Sequence, residues 1–116
     1  MQQVVRAHKF GQSTVLKLDS MGKPRPGNGQ ILVETMAIGV NPIDAHFRSG
    51  VNKSIPLPFL PGMDCAGIVE EIGSNVMSFK KGDRVYLGGV MSGTYAEYVV
   101  CTERQAGLLP DSQSFA

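Results

Sequence analysis

Glycine and proline interrupt this sequence at short intervals and so limit the length of any regular element. The 116 residues include 14 glycines and 7 prolines. Several of them mark four turn-forming stretches, PRPGNG, PLPFLPG, GSN and KKGD, which leave only short runs between them. Short runs separated by Gly and Pro turns at regular intervals are typical of all-β barrels and sandwiches. We therefore expect a mainly β fold.

The clearest strand in the sequence is QILVETMAIGV, residues 30–40. Its apolar residues fall on both alternating faces, which predicts that both faces of the strand are largely covered. We expect a second run to begin at Val15 and Leu16. The remaining runs that we interpret as strands are VVRAHKF, AGIVEEIG, DRVYLGG and GTYAEYVVCTE.

The size and charge of the chain exclude several classes of partner. A chain of 116 residues is the size of one domain. Its 11 basic and 10 acidic residues give a formal net charge of +1, and no basic run occurs. This argues against nucleic-acid or anionic-membrane binding. No apolar run approaches the roughly 20 residues of a membrane-spanning helix.

Two cysteines, Cys65 and Cys101, are present without CxxC spacing. We interpret them as two free, partly buried thiols in a reducing compartment; a disulfide or a metal pair is the alternative. The first residues, MQQVVRAHKF, lack the apolar segment of a secretory signal. Both observations predict a cytoplasmic protein.

The stretch GVNPIDAHFRSG carries the local signals of a short helix. Asn41 can cap the helix through its side-chain oxygen, and Pro42 suits the first helical position. Asp44 falls in the first turn, where a carboxylate favours the positive end of the helix dipole. Gly50 suits the left-handed residue that follows a helix. The pattern predicts a helix of about two turns over residues 42–49.

Ile43 and Phe47 lie four residues apart and should share the buried face of this helix. His46 lies beside that face and could point into a cleft. An Asn-Pro-x-Asp cap is favourable wherever it occurs, and a histidine on a short helix is often simply exposed. The local pattern therefore leaves both a structural and a functional role open for Asn41 and His46.

Four motifs in order extend the pattern over the whole chain: GVNPIDAHFRSG, PLPFLPGMDCAGIVEEIGSNVMSFKKGDRV, GTYAEYVV and LLPDS. Together they resemble the N-terminal, GroES-like catalytic domain of the medium-chain dehydrogenase/reductase superfamily. Within it, the chain is most similar to the zinc-free quinone oxidoreductase branch, the zeta-crystallin-like enzymes. The resemblance implies a GroES-like, partly open β-barrel with short helices.

The resemblance also implies a division of the chain. Residues 1–108 would form the GroES-like catalytic domain. Residues 109–116 would begin the connection to a nucleotide-binding Rossmann domain that this chain lacks.

The resemblance further implies that no zinc is bound. In the zinc alcohol dehydrogenases of the superfamily a cysteine stands at the position of Asn41, and a His-Glu pair stands at Met63 and Asp64. An amide and a thioether are poor ligands for Zn²⁺. The stretch DRVYLGGVMSGTYAEY also lacks the four cysteines of the structural zinc lobe. Zinc-free relatives use NADPH to reduce quinones or activated alkenes, which delocalise the incoming charge without a Lewis acid.

The resemblance assigns candidate site residues position by position. We expect Asn41 and His46 to be catalytic, and Asn41, Pro42, Asp44 and His46 to bind the cofactor. His46 replaces the tyrosine that is usual in this branch, and could donate a hydrogen bond or shuttle a proton. For Asp44 we favour capping and support of the site over catalysis. Arg48 is expected to be structural.

The end of the chain predicts a truncation. In LLPDSQSFA, Pro110 is followed by Asp111 or Ser112 as a helix cap, yet the chain stops at Ala116, after barely one turn. A frayed natural terminus is the alternative. The glycines of GGVMSG, residues 88–93, do not fit the GxGxxG pattern of a phosphate loop. We expect the 116 residues to be inactive alone, and to expose an apolar patch that promotes self-association.

Three functional hypotheses are consistent with the sequence. The first is the catalytic domain of an NADPH:quinone oxidoreductase, which would form a homodimer or homotetramer when full length. The second keeps the enzyme class and changes the substrate to enoyl thioesters or other activated alkenes. The third is a non-enzymatic GroES-like binding module, since co-chaperonins share the barrel.

Overall fold

The structure is a computed structural model, and it describes residues 1–50, 56–90 and 93–115. Its strands and its α-helix follow the chain as β1 (Gln2–Ala7), β2 (Leu16–Met21), β3 (Gln30–Gly39), α1 (Pro42–Arg48), β4 (Asp64–Ile72), β5 (Arg84–Leu87), β6 (Tyr98–Thr102) and β7 (Ala106–Leu108). Two short 3₁₀ turns span Ser13–Val15 and Glu103–Gln105. Within α1 the backbone of His46 is described and its side chain is not.

The main sheet has five antiparallel strands in the order β6-β3-β4-β5-β7. A separate hairpin of β1 and β2 closes against it. A bridge between Val4 and Ala96 makes that connection, together with a hydrogen bond of 2.9 Å from the Val5 amide to the Tyr95 carbonyl. The sheet and the hairpin form a curled, partly open barrel, which confirms the predicted mainly β fold.

The core lies inside the curl of the sheet. Strands β3 and β4 approach closely enough there that Gly67 has no room for a side chain, since a Cβ at this position would lie 2.0 Å from the Glu34 carbonyl oxygen. This spacing lets the apolar side chains of the sheet and the hairpin meet in one cluster. The cluster comprises Val4, Ile31, Val33, Cys65, Val69, Phe79, Val85, Leu87, Val90, Ala96, Val99 and Cys101.

Two predicted strand limits were wrong. Val15 lies in a 3₁₀ turn, and the second strand begins at Leu16. The stretch GTYAEY is not a regular strand: residues 94–97 connect to β1 through the bridge at Ala96, and the strand itself begins at Tyr98. Here the chain leaves the edge of β3 to reach the hairpin, so it cannot continue one regular ladder.

The expectation that both faces of residues 30–40 are covered was also wrong. The first half of β3 is buried on both faces, but Met36 in the second half is 51% exposed. It borders a groove of about 510 Å³ between β3, β1, β2 and residues 95–97, which we call the β3 groove. Other exposed apolar side chains that line it are Leu18, Ile38 and Val40. The expected apolar patch lies here.

In the described part of the chain, no helix has the length and apolar character needed to cross a membrane.

The two cysteines are buried in the core and are not joined to each other. Burial raises the pKa of the Cys65 thiol to about 12, with Cys101 and Asp64 adding to the effect, and burial also raises the pKa of Cys101 to about 12. Both thiols therefore stay protonated and inert near neutral pH.

We predict that both thiols of the native chain react slowly with Ellman's reagent at neutral pH, because they are protonated and shielded. In urea both should react rapidly, since unfolding restores access and an ordinary thiol pKa. Absorbance of the released thionitrobenzoate measures both rates. Rapid labelling of either thiol in native buffer would contradict the buried placement.

We predict concentration-dependent self-association of the chain through the β3 groove. The substitution Met36→Glu should weaken it, because a charge within an apolar contact must be desolvated. Sedimentation velocity over a range of concentrations measures the association. Met77→Glu is the matched control, because Met77 is 90% exposed and lies outside the groove. Equal association of the parent and Met36→Glu would show that the groove is not the contact.

Candidate active site

Helix α1 begins directly after β3 ends, so the N-terminal cap of the helix is held by the end of a sheet strand. Asn41 is the cap residue with an extended backbone, and Pro42 occupies the first turn. The helix ends at Arg48 and is followed by Gly50 with φ of 89°. The helix predicted for residues 42–49 is therefore confirmed within one residue, as are its cap and its terminating glycine.

Asp44 is a buried carboxylate that ties the first turn of α1 to a distant loop. It is only 3% exposed. Its Oδ2 accepts hydrogen bonds from the Asn41 main-chain amide at 2.9 Å and from the Tyr95 hydroxyl at 3.1 Å. Its Oδ1 is buried and has no hydrogen-bond partner among the described residues. The capping part of the role expected for Asp44 is thus seen directly.

Asn41 is held from two sides. Its side chain faces the Asp44 amide in a reciprocal capping box, while that amide itself donates to the Asn41 main-chain carbonyl at 3.0 Å. On the other side, Asn41 Nδ2 donates to Asp64 Oδ2 at 2.9 Å. Asp64 is the first residue of β4 and pairs with Gly39 at the end of β3. The hydrogen bond therefore joins the start of the helix to the start of the neighbouring strand.

Tyr95 completes this polar cluster, and sequence reasoning did not connect it with the helix. It lies 51 residues from Asp44 in the chain, and it also lines the β3 groove. The pKa of Tyr95 is raised to about 12, first by burial and then by the charge and hydrogen bond of the Asp44 carboxylate, while Arg48 opposes the shift. The phenol stays protonated near neutral pH, so it acts as a hydrogen-bond donor to Asp44.

The other predicted site residues on α1 are Pro42 and His46, and the structure describes only one of their two side chains. Pro42 is exposed at the start of the helix. The His46 side chain lies outside the described residues, so its catalytic and cofactor-binding roles stay predictions. Ile43 was wrongly expected to be buried and is 42% exposed. Phe47, the other member of the expected apolar pair, packs edge-on against Phe59 with ring centroids 6.4 Å apart.

The donor atoms around Asn41 do not fit a zinc site. Zinc in proteins takes thiolate, imidazole or carboxylate ligands. Here the side-chain amide nitrogen of Asn41 is hydrogen-bonded to the carboxylate of Asp64, and Met63 supplies only a thioether. No group of three or more His, Cys, Asp or Glu side chains in the described residues is arranged to hold a metal ion. Zinc independence of the working protein stays a prediction.

Residues 27–111 match the family model of the alcohol dehydrogenase GroES-like domain. The chain belongs to this family. It is 44% identical to the quinone oxidoreductase of Sus scrofa over 117 residues, which cover 99% of this chain and 36% of that protein. It is 37% identical to the chloroplastic NADPH-dependent alkenal/one oxidoreductase of Arabidopsis thaliana, over 92% of this chain and 31% of that protein.

A solved structure shares the fold of this GroES-like domain. The quinone oxidoreductase of Escherichia coli, complexed with NADPH, matches it with a TM-score of 0.88 at 33% identity, over 97% of this chain and 35% of that one. The expected resemblance to quinone oxidoreductases of the medium-chain dehydrogenase/reductase superfamily is confirmed, as is the GroES-like fold. The chain spans about a third of the length of the relatives that it matches.

We predict that alkaline pH destabilises the domain through Tyr95. Its pKa in the folded chain is raised to about 12 from an ordinary 10.0. Ionisation therefore favours the unfolded chain, and the contribution of Tyr95 to stability is present below pH 10 and lost as the pH rises through about 12. Urea unfolding at several alkaline pH values measures this loss, and tyrosinate absorbance measures the pKa.

Tyr95→Phe should remove both the late-titrating group and its share of the pH dependence. Asp44→Asn should lower the pKa of Tyr95, because the carboxylate charge and hydrogen bond raise it. Tyr86→Phe is the control, because Tyr86 is exposed on β5. If a tyrosine with a pKa of about 12 still titrates in Tyr95→Phe, the raised pKa does not belong to Tyr95.

Proposed function

We propose that this chain is the catalytic-domain portion of an NADPH-dependent quinone oxidoreductase, which transfers hydride to quinones or activated alkenes without zinc. The observation that carries the proposal is the hydrogen bond between the Asn41 amide and the Asp64 carboxylate. These two groups stand where zinc-dependent relatives would need metal ligands. The substrate class is supported by relatives named quinone oxidoreductase. The cofactor is supported by a relative solved with NADPH.

The residues around α1 fit one end of such a cofactor. The Asn41 amide nitrogen carries two hydrogens, and Asp64 engages one of them. The buried Oδ1 of Asp44 has acceptor capacity left for a donor group. No GxGxxG loop for phosphates occurs in the sequence, and in the proposed enzyme a second domain holds the rest of the cofactor. NADPH, when bound, supplies the hydride.

The proposed roles follow from these atoms. Asn41 binds the nicotinamide end and donates its second N–H where negative charge develops on the substrate oxygen. Pro42 and Asp44 contribute to cofactor binding by fixing the first turn of α1 around Asn41. His46 donates a hydrogen bond or moves a proton to the reduced substrate. Quinones and conjugated enones spread the incoming charge over several atoms, which lowers the need for a Lewis acid.

Alkenal or enone reduction is the second candidate activity. It is favoured by the relative from Arabidopsis thaliana, which is named an NADPH-dependent alkenal/one oxidoreductase. The same Asn41 donor would serve the carbonyl oxygen of an enone. A non-enzymatic binding module would use neither NADPH nor this donor, and quantitative assays with both substrate classes separate the three.

We also propose a cytoplasmic enzyme that forms a homodimer or homotetramer. The two free, buried thiols suit a reducing compartment. The exposed apolar lining of the β3 groove suits association with further protein surface.

We predict that the enzyme containing this domain reduces quinones with NADPH and that the isolated chain does not. Asn41→Ala should lower kcat/KM by about a hundredfold, the loss expected on removing one donor to a developing oxyanion. Stopped-flow or steady-state loss of NADPH absorbance measures the rate, with quinones and alkenals compared.

Asn28→Ala is the matched control, because Asn28 lies in the exposed turn before β3, at the opposite end of the strand from Asn41. Its activity should stay at the parent level. Full activity of Asn41→Ala, or NADPH-dependent turnover by the 116 residues alone, would contradict the proposal.

A further inference from the structure

We propose that Asp64 is a positioning residue for hydride transfer: its carboxylate orients the Asn41 side-chain amide so that one N–H is presented to the reacting groups. This inference rests on the proposed function of Asn41. Asp64 itself is not proposed to touch substrate or cofactor. Its place at the first residue of β4 joins the orientation of Asn41 to the main sheet.

The direction of the amide follows from the chemistry of its partner. A carboxylate only accepts hydrogen bonds, so the amide must present nitrogen to Asp64, as the distance of 2.9 Å from Nδ2 to Oδ2 shows. A hydrogen bond to a charged acceptor is stronger than one between neutral groups. The terminal torsion of an asparagine side chain is otherwise broad and roughly two-fold. Asp64 thus selects one of two orientations that the amide could adopt.

The same contact determines which donor remains. Asn41 Nδ2 has two hydrogens, one used by Asp64, and the rest of the side chain faces the first turn of α1. Its main-chain amide is engaged by Asp44. The second side-chain N–H is therefore the donor that Asn41 has left, and Asn41 is only half-buried, so this donor can be reached.

Asp64 is itself held by its neighbours in the fold. A Cβ at Gly39, its partner in the β3–β4 ladder, would lie 3.3 Å from the Asp64 Cβ and 3.7 Å from Asn41 Nδ2, so glycine gives the pair its room. The hydroxyl of fully buried Thr94 donates to the Asp64 main-chain carbonyl at 3.3 Å. Among the described residues, only Asn41 donates a side-chain hydrogen bond to the Asp64 carboxylate.

The kinetic test is a double-mutant cycle in the enzyme that contains this domain, with Asn41→Ala, Asp64→Asn and both together. Asp64→Asn keeps the size of the side chain but lets either end of the Asn41 amide face it. We expect kcat to fall at least tenfold, since small misplacement of a reacting group is costly, and the Kd for NADPH to change less. The double variant should be no slower than Asn41→Ala, because Asp64 acts through Asn41.

If Asp64 had a purely structural role, Asp64→Asn would lower the stability of the domain, and its effect on kcat would not depend on whether Asn41 is present. Asp64→Glu returns a carboxylate acceptor and should recover part of the rate. Asp111→Asn is the control for the change of charge, because Asp111 is exposed near the end of the chain. Thermal unfolding of each variant separates lost stability from lost rate.

A second measurement needs no activity. The side-chain NH₂ signals of Asn41 are followed by ¹⁵N NMR in the 116-residue chain, where the hydrogen bond to Asp64 should make the two hydrogens differ more in chemical shift than those of an exposed asparagine, and Asp64→Asn should reduce this difference. Unaltered signals would overturn the inference, as would losses of kcat that multiply in the double variant. Full kcat in Asn41→Ala would overturn both the inference and the proposed role of Asn41, so the two failures are distinguishable.

Discussion

The hydrogen bond from Asn41 Nδ2 to Asp64 Oδ2 is the contact on which the rest of the site depends. It links the cap of α1 to the first residue of β4, so the helix cannot turn relative to the sheet without breaking it. Asp44 adds a second link, because it binds the Asn41 main chain and the hydroxyl of Tyr95. A helix of two turns has almost no stability of its own. These polar contacts to the sheet and the 94–97 connection hold the start of the helix in place, and the contact of Phe47 with Phe59 adds to them near its end.

The path of residues 94–97 between the edge of β3 and the hairpin produces both the polar cluster and the β3 groove. Residues 94–97 leave the edge of β3 to reach β1, which opens the groove beside Met36 and brings Tyr95 to Asp44. An open apolar surface and a fixed hydrogen-bond donor therefore lie at one end of the barrel. The proposed reductase needs both: an apolar face that can associate with further protein surface, and a donor at the reacting end of the cofactor.

Local features of the site could be predicted from the sequence, and long-range ones could not. The Asn-Pro-x-Asp signal predicts α1 and its cap because each residue satisfies a backbone group within one turn. The contact of Tyr95 with Asp44 joins residues 51 positions apart, which no periodicity encodes. The exposed face of Met36 was missed because alternation shows which side chains share a face, but not what lies against that face. The motif resemblance supplied the fold class, which the family match confirms.

Asn41 and Asp64 form an amide–carboxylate pair, and we propose that the reaction proceeds beside it without a metal ion. The most direct test is zinc analysis of the enzyme containing this domain, with NADPH-dependent quinone reduction assayed before and after dialysis against a strong chelator. We expect no zinc above background and an unchanged rate. About one zinc per chain, whose removal abolishes the rate and whose return restores it, would overturn the proposal, since a catalytic zinc requires three protein ligands and no such group is found in the described part of the chain.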